Sequence, residues 1–201
     1  MTVRVVFATG NAHKVGEVQQ ILTAAGADIE LLSLSAWPDA PVPIEDGSSF
    51  AENALIKART IAAHTGMPAI ADDSGICVDV MNGMPGIFSA LWAGTHGDDR
   101  ANVDLLLAQL HDIPQERRGA HFLCAAAIVA PGVGERVVEG SIEGSVTFAP
   151  SGGGGFGYDP IFKPHGYDCT TAELSADEKN AISHRGAAFR ALAPVVVELL
   201  S

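Results

Sequence analysis

Lysine is scarce in this chain: of 201 residues only Lys14, Lys57, Lys163 and Lys179 carry an ammonium group. Twelve basic residues stand against twenty-four acidic ones, a formal net charge of −12. A sequence-independent nucleic-acid binder needs a positive stripe to displace counterions, so this balance excludes a polynucleotide partner. Such a field would also repel a small anion, yet each lysine lies in or beside a segment suited to a ligand, which points to a local anion site. Cysteine is sparser still. Cys77, Cys124 and Cys169 form an odd set without Cys-x-x-Cys spacing, which predicts neither a disulfide framework nor a zinc site and suits the cytosol. No apolar run approaches the ~20 residues of a membrane span, and the one near the amino end is too brief for a signal peptide. Internal repeats are absent, and the glycine run at 152–155 is too short for a linker.

What is present suffices for a core: 47% of residues are apolar, enough for residues 1–201 to fold as one domain with room for two lobes. Val3 to Ala8 reads as a strand, Thr9-Gly10-Asn11 as a tight loop, and Val15, Val18, Leu22 and Ala25 as one face of a helix ending near Gly26. A strand around Glu30 to Leu34 and an irregular, proline-bearing connection follow. Ser49-x-x-Glu52 has capping-box form and opens a helix that stops at Gly66. Ala69 to Ala71 predicts a short buried strand that breaks at Asp72-Asp73-Ser74-Gly75, with Ile76 to Val80 as a second strand. Asp98 caps a third helix, His121 to Val129 and Arg136 to Val146 alternate as strands, Ser175-x-x-Glu178 opens a short helix, and Pro194 must kink or restart the last one. Helices and strands alternate first and a strand pair follows, so the class is α/β with a mixed sheet flanked by helices.

Five segments carry residues suited to chemistry. The loop at Thr9 to Lys14 offers backbone N–H groups, a helix N-terminus and an ammonium to an anion, although it lacks the Walker A pattern and also fits a plain βα turn. Glu45-Asp46 and Asp72-Asp73 supply oxygen donors of the kind Mg²⁺ takes beside phosphates, or else cap turns. Around Phe156 glycines let backbone approach a ligand, and the Phe156 or Tyr158 ring could stack on a flat heterocycle. Ser183-His184-Arg185 starts a helix with donors for carbonyl or phosphate oxygens. Asn53 and Lys57 share one helical face, which surface solubility explains equally well.

Taken in order, Ala8-Thr9-Gly10-Asn11-Ala12-His13-Lys14, Glu45-Asp46-Gly47 with Phe50, Glu52, Asn53, Ala54, Lys57 and Ala58, Ala71-Asp72-Asp73-Ser74-Gly75, Gly154-Gly155-Phe156-Gly157-Tyr158-Asp159-Pro160 and Ser183-His184-Arg185-Gly186 closely resemble the inosine/xanthosine triphosphate pyrophosphatase family. The resemblance runs from the first strand to the last helix. It implies a two-lobed fold with the active site in the cleft between the lobes, and a homodimeric, cytoplasmic, Mg²⁺-dependent enzyme. Its substrates would be ITP, dITP and XTP, cleaved to the monophosphate and pyrophosphate. By the same resemblance the loop from Thr9 through Gly10, Asn11, Ala12 and His13 to Lys14 would hold the triphosphate. Glu45 and Asp73 would bind metal, with Asp73 also the proton acceptor, and Ser74 would touch substrate. Phe156 would stack on the purine, Gly157, Tyr158 and Asp159 would shape its loop, and Lys179, His184 and Arg185 would read the base. Leu91 departs from the pattern, since the family usually has arginine there. A pyrophosphatase for other modified nucleotides, or a nucleotide-binding module without catalysis, remains a different reading of the same segments.

Overall fold

The computed structural model describes residues 2–9 and 12–200, with the backbone alone at 12 and 13. Strands β1 (Val3–Phe7), β2 (Ile29–Ser33), β3 (Ala69–Val78), β4 (Met84–Pro85), β5 (Gly119–Ala130), β6 (Gly134–Val146) and β7 (Phe162–Pro164) alternate with helices α1 (Ala12–Ala24), α2 (Phe50–Thr65), α3 (Asp99–Gln109), α4 (Ala176–Ile182) and α5 (His184–Leu200). The seven strands form one sheet in the order β2-β1-β3-β5-β6-β7, with β4 paired to β3. Pairing of β1 with β2 and with β3 is parallel, whereas β3/β4 and β6/β7 are antiparallel. The sheet is therefore mixed, as the alternation of elements predicts.

Two compact units divide the chain. The first comprises residues 1–73, 124–140 and 185–201; the second comprises 74–123 and 141–184.

In the first unit, period-2 alternation along the strands sorts side chains between two layers. Val5 and Phe7 of β1 and Ile70 of β3 join Cys124, Ala126 and Ile128 of β5 in a core with Val18 and Leu22 of α1 and Phe189, Leu192 and Val196 of α5. The intervening Val6 and Ala69 instead meet Ile61 and Ala62 of α2. Parity thus gives α1 and α5 one face of the strands and α2 the other. Phe7 and Phe189 pack edge to face, with ring centroids 5.6 Å apart. The second unit has its own core, in which Ile76 and Val78 meet Val103, Leu106 and Leu110 of α3 and Phe122, Tyr158 and Phe162.

Local chemistry sets the helix ends. Ser49 accepts from the Glu52 N–H (3.2 Å) at the start of α2, and left-handed Gly66 closes its other end. The expected capping box there is displaced by one residue: the Glu52 carboxylate accepts from the N–H and hydroxyl of Ser48 (2.7 and 2.8 Å). At α4 the box is complete between Ser175 and Glu178. Two sequence expectations change. Pro194 lies inside α5, which continues without restarting. And Asp72 to Gly75 do not break the chain into two strands, because β3 is continuous over ten residues.

The thiols follow from burial. Cys124 is fully buried and Cys77 nearly so; exclusion from water raises both thiol pKa values, that of Cys77 to about 11 with a further push from Asp79. Because the thiolate is the nucleophile, both are expected to resist a disulfide reagent at pH 8, while half-buried Cys169 reacts. Thiol titration should give one fast equivalent per native chain and three in guanidinium.

Candidate functional site

The first unit gathers a set of charges around two adjacent aspartates. β1 pairs with β3 through Phe7↔Ile70, so Asp72 and Asp73 lie on β3 beyond the residues that β1 pairs. Their side chains take opposite faces. Asp72 is on the Ile70 face, under α1 and α5, where its Oδ2 accepts from Arg185 Nε (3.1 Å) and Lys14 Nζ (3.4 Å). Burial alone would raise the Asp72 pKa, but the charges of Lys14, Arg185 and Lys57 outweigh it and hold the carboxyl well below the usual carboxylate range.

Asp73 is on the Ala69 face, under α2. Asn53 Nδ2 donates to Asp73 Oδ2 (3.1 Å), and Lys57 Nζ donates both to Asp73 Oδ1 (3.0 Å) and to Glu45 Oε2 (2.9 Å). Asn53 is itself fixed by accepting from the Gly47 N–H (2.9 Å), so the 45–47 segment and α2 are latched together. Burial pushes the Asp73 carboxyl above its ordinary pKa; Lys57 and Asn53 pull against that rise, and the nearby Glu45 charge adds to it. Burial would lower the Lys57 pKa, yet Asp73 and Glu45 hold the ammonium above its ordinary value. Thr9 lies half-buried after β1, its N–H donating to Phe7 O (2.8 Å). Gly10, Asn11 and the side chains of Ala12 and His13 lie outside the described residues.

The second unit holds the other predicted residues. Phe156 is 59% exposed, and Lys179 Nζ lies 4.8 Å from its ring centroid. Asp159, by contrast, is buried and braces the loop. It accepts from the Phe156 N–H (2.8 Å) and the Thr171 hydroxyl (2.8 Å) and pairs with Lys179. Gly155 has φ +73°, and a Cβ there would meet Asp159 Oδ2 at 2.1 Å, so only glycine fits. Of the two candidate rings, Tyr158 is turned into the core, its hydroxyl donating to Ser89 O (2.8 Å). His184 lies flat on Phe122, with centroids 4.8 Å apart. Ser74 is half-buried. A Cβ on Gly75 would collide with Ser89 Oγ (2.3 Å) and Gly86 O (2.5 Å), so this glycine serves close packing of β3.

Each unit thus brings its own share of the predicted residues together: Lys14, Glu45, Asp73 and Arg185 in one, Phe156, Asp159 and Lys179 in the other. Lys163 stands apart, paired with Asp168 (3.5 Å) on the surface. Residue-level reading left the role of Lys57, Asn53 and Asp72 undecided; the signal was the four-residue spacing of Asn53 and Lys57, whose partners are remote in sequence.

The Ham1 family pattern matches residues 5–195, nearly the whole chain. The chain belongs to the Ham1 family. Among its Ham1 relatives, the dITP/XTP pyrophosphatase of Streptomyces coelicolor is 61% identical over 197 residues, covering 98% of each chain. That of Corynebacterium efficiens is 53% identical over 203 residues, again 98% of each. A crystal structure of the Mycobacterium abscessus nucleoside-triphosphatase, a dITP/XTP pyrophosphatase, superposes with TM-score 0.81 at 51% identity, covering 96% of this chain and all of that one. The HAM1 protein of Coxiella burnetii gives 0.88 at 38% identity, with 98% and 99% covered.

Proposed function

We propose that this chain hydrolyses deaminated purine nucleoside triphosphates, ITP, dITP and XTP, to the nucleoside monophosphate and pyrophosphate. The carrying observation is the Asp73 constellation: a half-buried carboxylate whose pKa is raised by partial burial and by the Glu45 charge, oriented by Asn53 and Lys57 and accompanied by Lys14 in the same unit. Names and similarity of the Ham1 relatives support the substrate class. Water adds to the α-phosphorus as its proton passes to an Asp73 oxygen; the bond to the bridging oxygen breaks and pyrophosphate leaves. Thr9, Asn11 and Lys14 hold the triphosphate, with Gly10, Ala12 and His13 completing that loop. Lys57 keeps the Asp73 carboxylate aimed and Ser74 contacts substrate. Asp72 fixes the Lys14 ammonium and the Arg185 guanidinium in place.

No group of three or more His, Cys, Asp or Glu side chains among the described residues could cage a metal. Glu45 and Asp73 nevertheless both reach one cation, the Lys57 ammonium, and two carboxylates with waters and phosphate oxygens are a common Mg²⁺ donor set. Glu45 and Asp73 would therefore hold Mg²⁺. When bound, the ion neutralises phosphate charge as it develops.

For the base, Phe156 stacks on the purine from a loop shaped by Gly157, Tyr158 and Asp159, while Lys179, His184 and Arg185 read its polar edge. Donors aimed at a 6-oxo group face an amino group when ATP enters. Two unpaired buried donors at about 1–3 kcal/mol each cost about 2–6 kcal/mol, so ATP turnover should be lower by roughly 30-fold to 10⁴-fold. Rejection of GTP, which shares the 6-oxo group, must come from crowding at the 2-position. Purified protein given ITP, XTP, GTP or ATP, with and without Mg²⁺, is expected to release pyrophosphate chiefly from ITP and XTP with Mg²⁺. Equal turnover of ATP and ITP would overturn the reading. The chain acts as a homodimer in the cytoplasm; light scattering checks the dimer. No helix among the described residues is long and apolar enough to cross a membrane.

A further inference from the structure

We infer that Asp99 is a positioning residue for base recognition, tethering the loop that carries Phe156; the inference rests on the proposed stacking role of that ring. Five of the six residues from 152 to 157 are glycine, and Gly152, Gly155 and Gly157 have φ of 83°, 73° and 59°. Such a segment has much conformational freedom to lose, so something must hold it if Phe156 is to be pre-placed. Two consecutive N–H groups are held by two carboxylates. The Phe156 N–H donates to buried Asp159 (2.8 Å), and the Gly157 N–H donates to Asp99 Oδ2 (2.7 Å), a residue 58 positions away at the start of α3.

The helix does not need Asp99 as its cap. Asp98 fills that role, its Oδ1 accepting from the Ala101 N–H (3.0 Å). Between the glycine loop and α3 lies a recess of about 460 Å³, bordered on the helix side by Arg100, Val103 and Asp104. Asp99 itself borders this recess, and its hydrogen bond to the Gly157 N–H crosses from α3 to the loop at its edge. Two adjacent aspartates divide the work: the first starts the helix and the second ties down the loop. Because Phe156 does not touch the reacting phosphorus, losing the tether should weaken substrate binding and leave the chemical step alone.

The experiment compares Asp99→Ala and Asp99→Asn in the full chain, reading ITP kinetics and amide hydrogen exchange of the 153–160 segment. The alanine variant should raise KM about three- to tenfold, the range of one net hydrogen-bond contribution, with kcat within twofold. It should also speed exchange in that segment while the melting temperature holds. Asparagine keeps a carbonyl oxygen and should restore both KM and exchange. An alanine variant with unchanged KM and exchange, or a defect that asparagine leaves in place, overturns the role of Asp99. If the wild-type chain fails to turn over ITP, the functional reading fails, and the exchange data still decide whether Asp99 holds the loop.

Discussion

Replacing Asp73 by asparagine is expected to lower kcat for ITP by about 10²–10⁴-fold, the usual contribution of a positioned general base, with KM within a few-fold. The substitution suits the question because it preserves shape. An asparagine carbonyl can still accept from Lys57 or from Asn53, so the latch joining α2 to β3 survives. What disappears is the capacity to take a proton and the negative charge shared with Glu45 around the Lys57 ammonium. Steady-state kinetics at saturating Mg²⁺, with equilibrium binding of a non-hydrolysable analogue, separates these effects. Retained binding with lost turnover is the expected pattern. Near-normal turnover in the variant would remove Asp73 from the base role and leave it as a ligand or strut.

Asp72→Ala should act on stability. One Asp72 oxygen receives both Arg185 and Lys14, and the carboxylate is almost completely buried. Removing the carboxylate from a buried ion pair of this kind costs about 3–5 kcal/mol. For a chain of this length that corresponds to a melting temperature lower by roughly 6–20 °C. Refilling the space should recover part of the loss: Asp72→Leu with Arg185→Leu should melt above Asp72→Ala, since a well-packed apolar pair can match a buried ion pair.

The dependence on pH has a definite sign. In the folded chain the Asp72 pKa lies below its unfolded value, with burial opposing and the surrounding cations prevailing. The unfolded chain therefore takes up the proton first as pH falls. Stability from Asp72 is fully present above the unfolded pKa of about 4 and drains away as pH drops toward the lower folded value. The gap in melting temperature between wild type and Asp72→Ala should thus narrow steadily below about pH 4. A gap that stays constant through acid titration would assign the loss to packing instead.

The same two aspartates show how far the sequence could be read. Asp, Ser and Gly together signal a turn, so Asp72-Asp73-Ser74-Gly75 reads as a break, whereas β3 runs straight through. An extended strand tolerates these residues because Lys14, Arg185, Lys57 and Asn53 satisfy the carboxylates, and because Gly75 admits Ser89. Those partners lie 58, 113, 16 and 20 positions from the aspartates they satisfy, and local pattern carries no information about such pairings. Helix boundaries were legible wherever a cap defines them, at Ser49, Asp98, Ser175 and Gly66. Tyr158 reads as one of two rings that could stack on a ligand, since the glycines around it let backbone approach one, whereas Asp159 reads by resemblance as a residue that shapes the loop. Their burial follows from the Ser89, Thr171 and Lys179 contacts that hold the loop from beneath. Assigning particular residues to metal, phosphate or base came from family resemblance, because composition alone distinguishes no one carboxylate from another.

The order in which the chain is assembled has a consequence for its biosynthesis. Phe7, in the first strand, has its aromatic partner at Phe189, and the unit to which both belong draws on residues 1–73, 124–140 and 185–201. During translation the core that the amino-terminal strand shares with α1 and α5 therefore stays incomplete until the carboxyl-terminal helix has left the ribosome. Contacts this distant in sequence are slow to form and expose aggregation-prone surface meanwhile. Nascent chains truncated before residue 185 should accordingly depend on chaperones far more than the finished protein does.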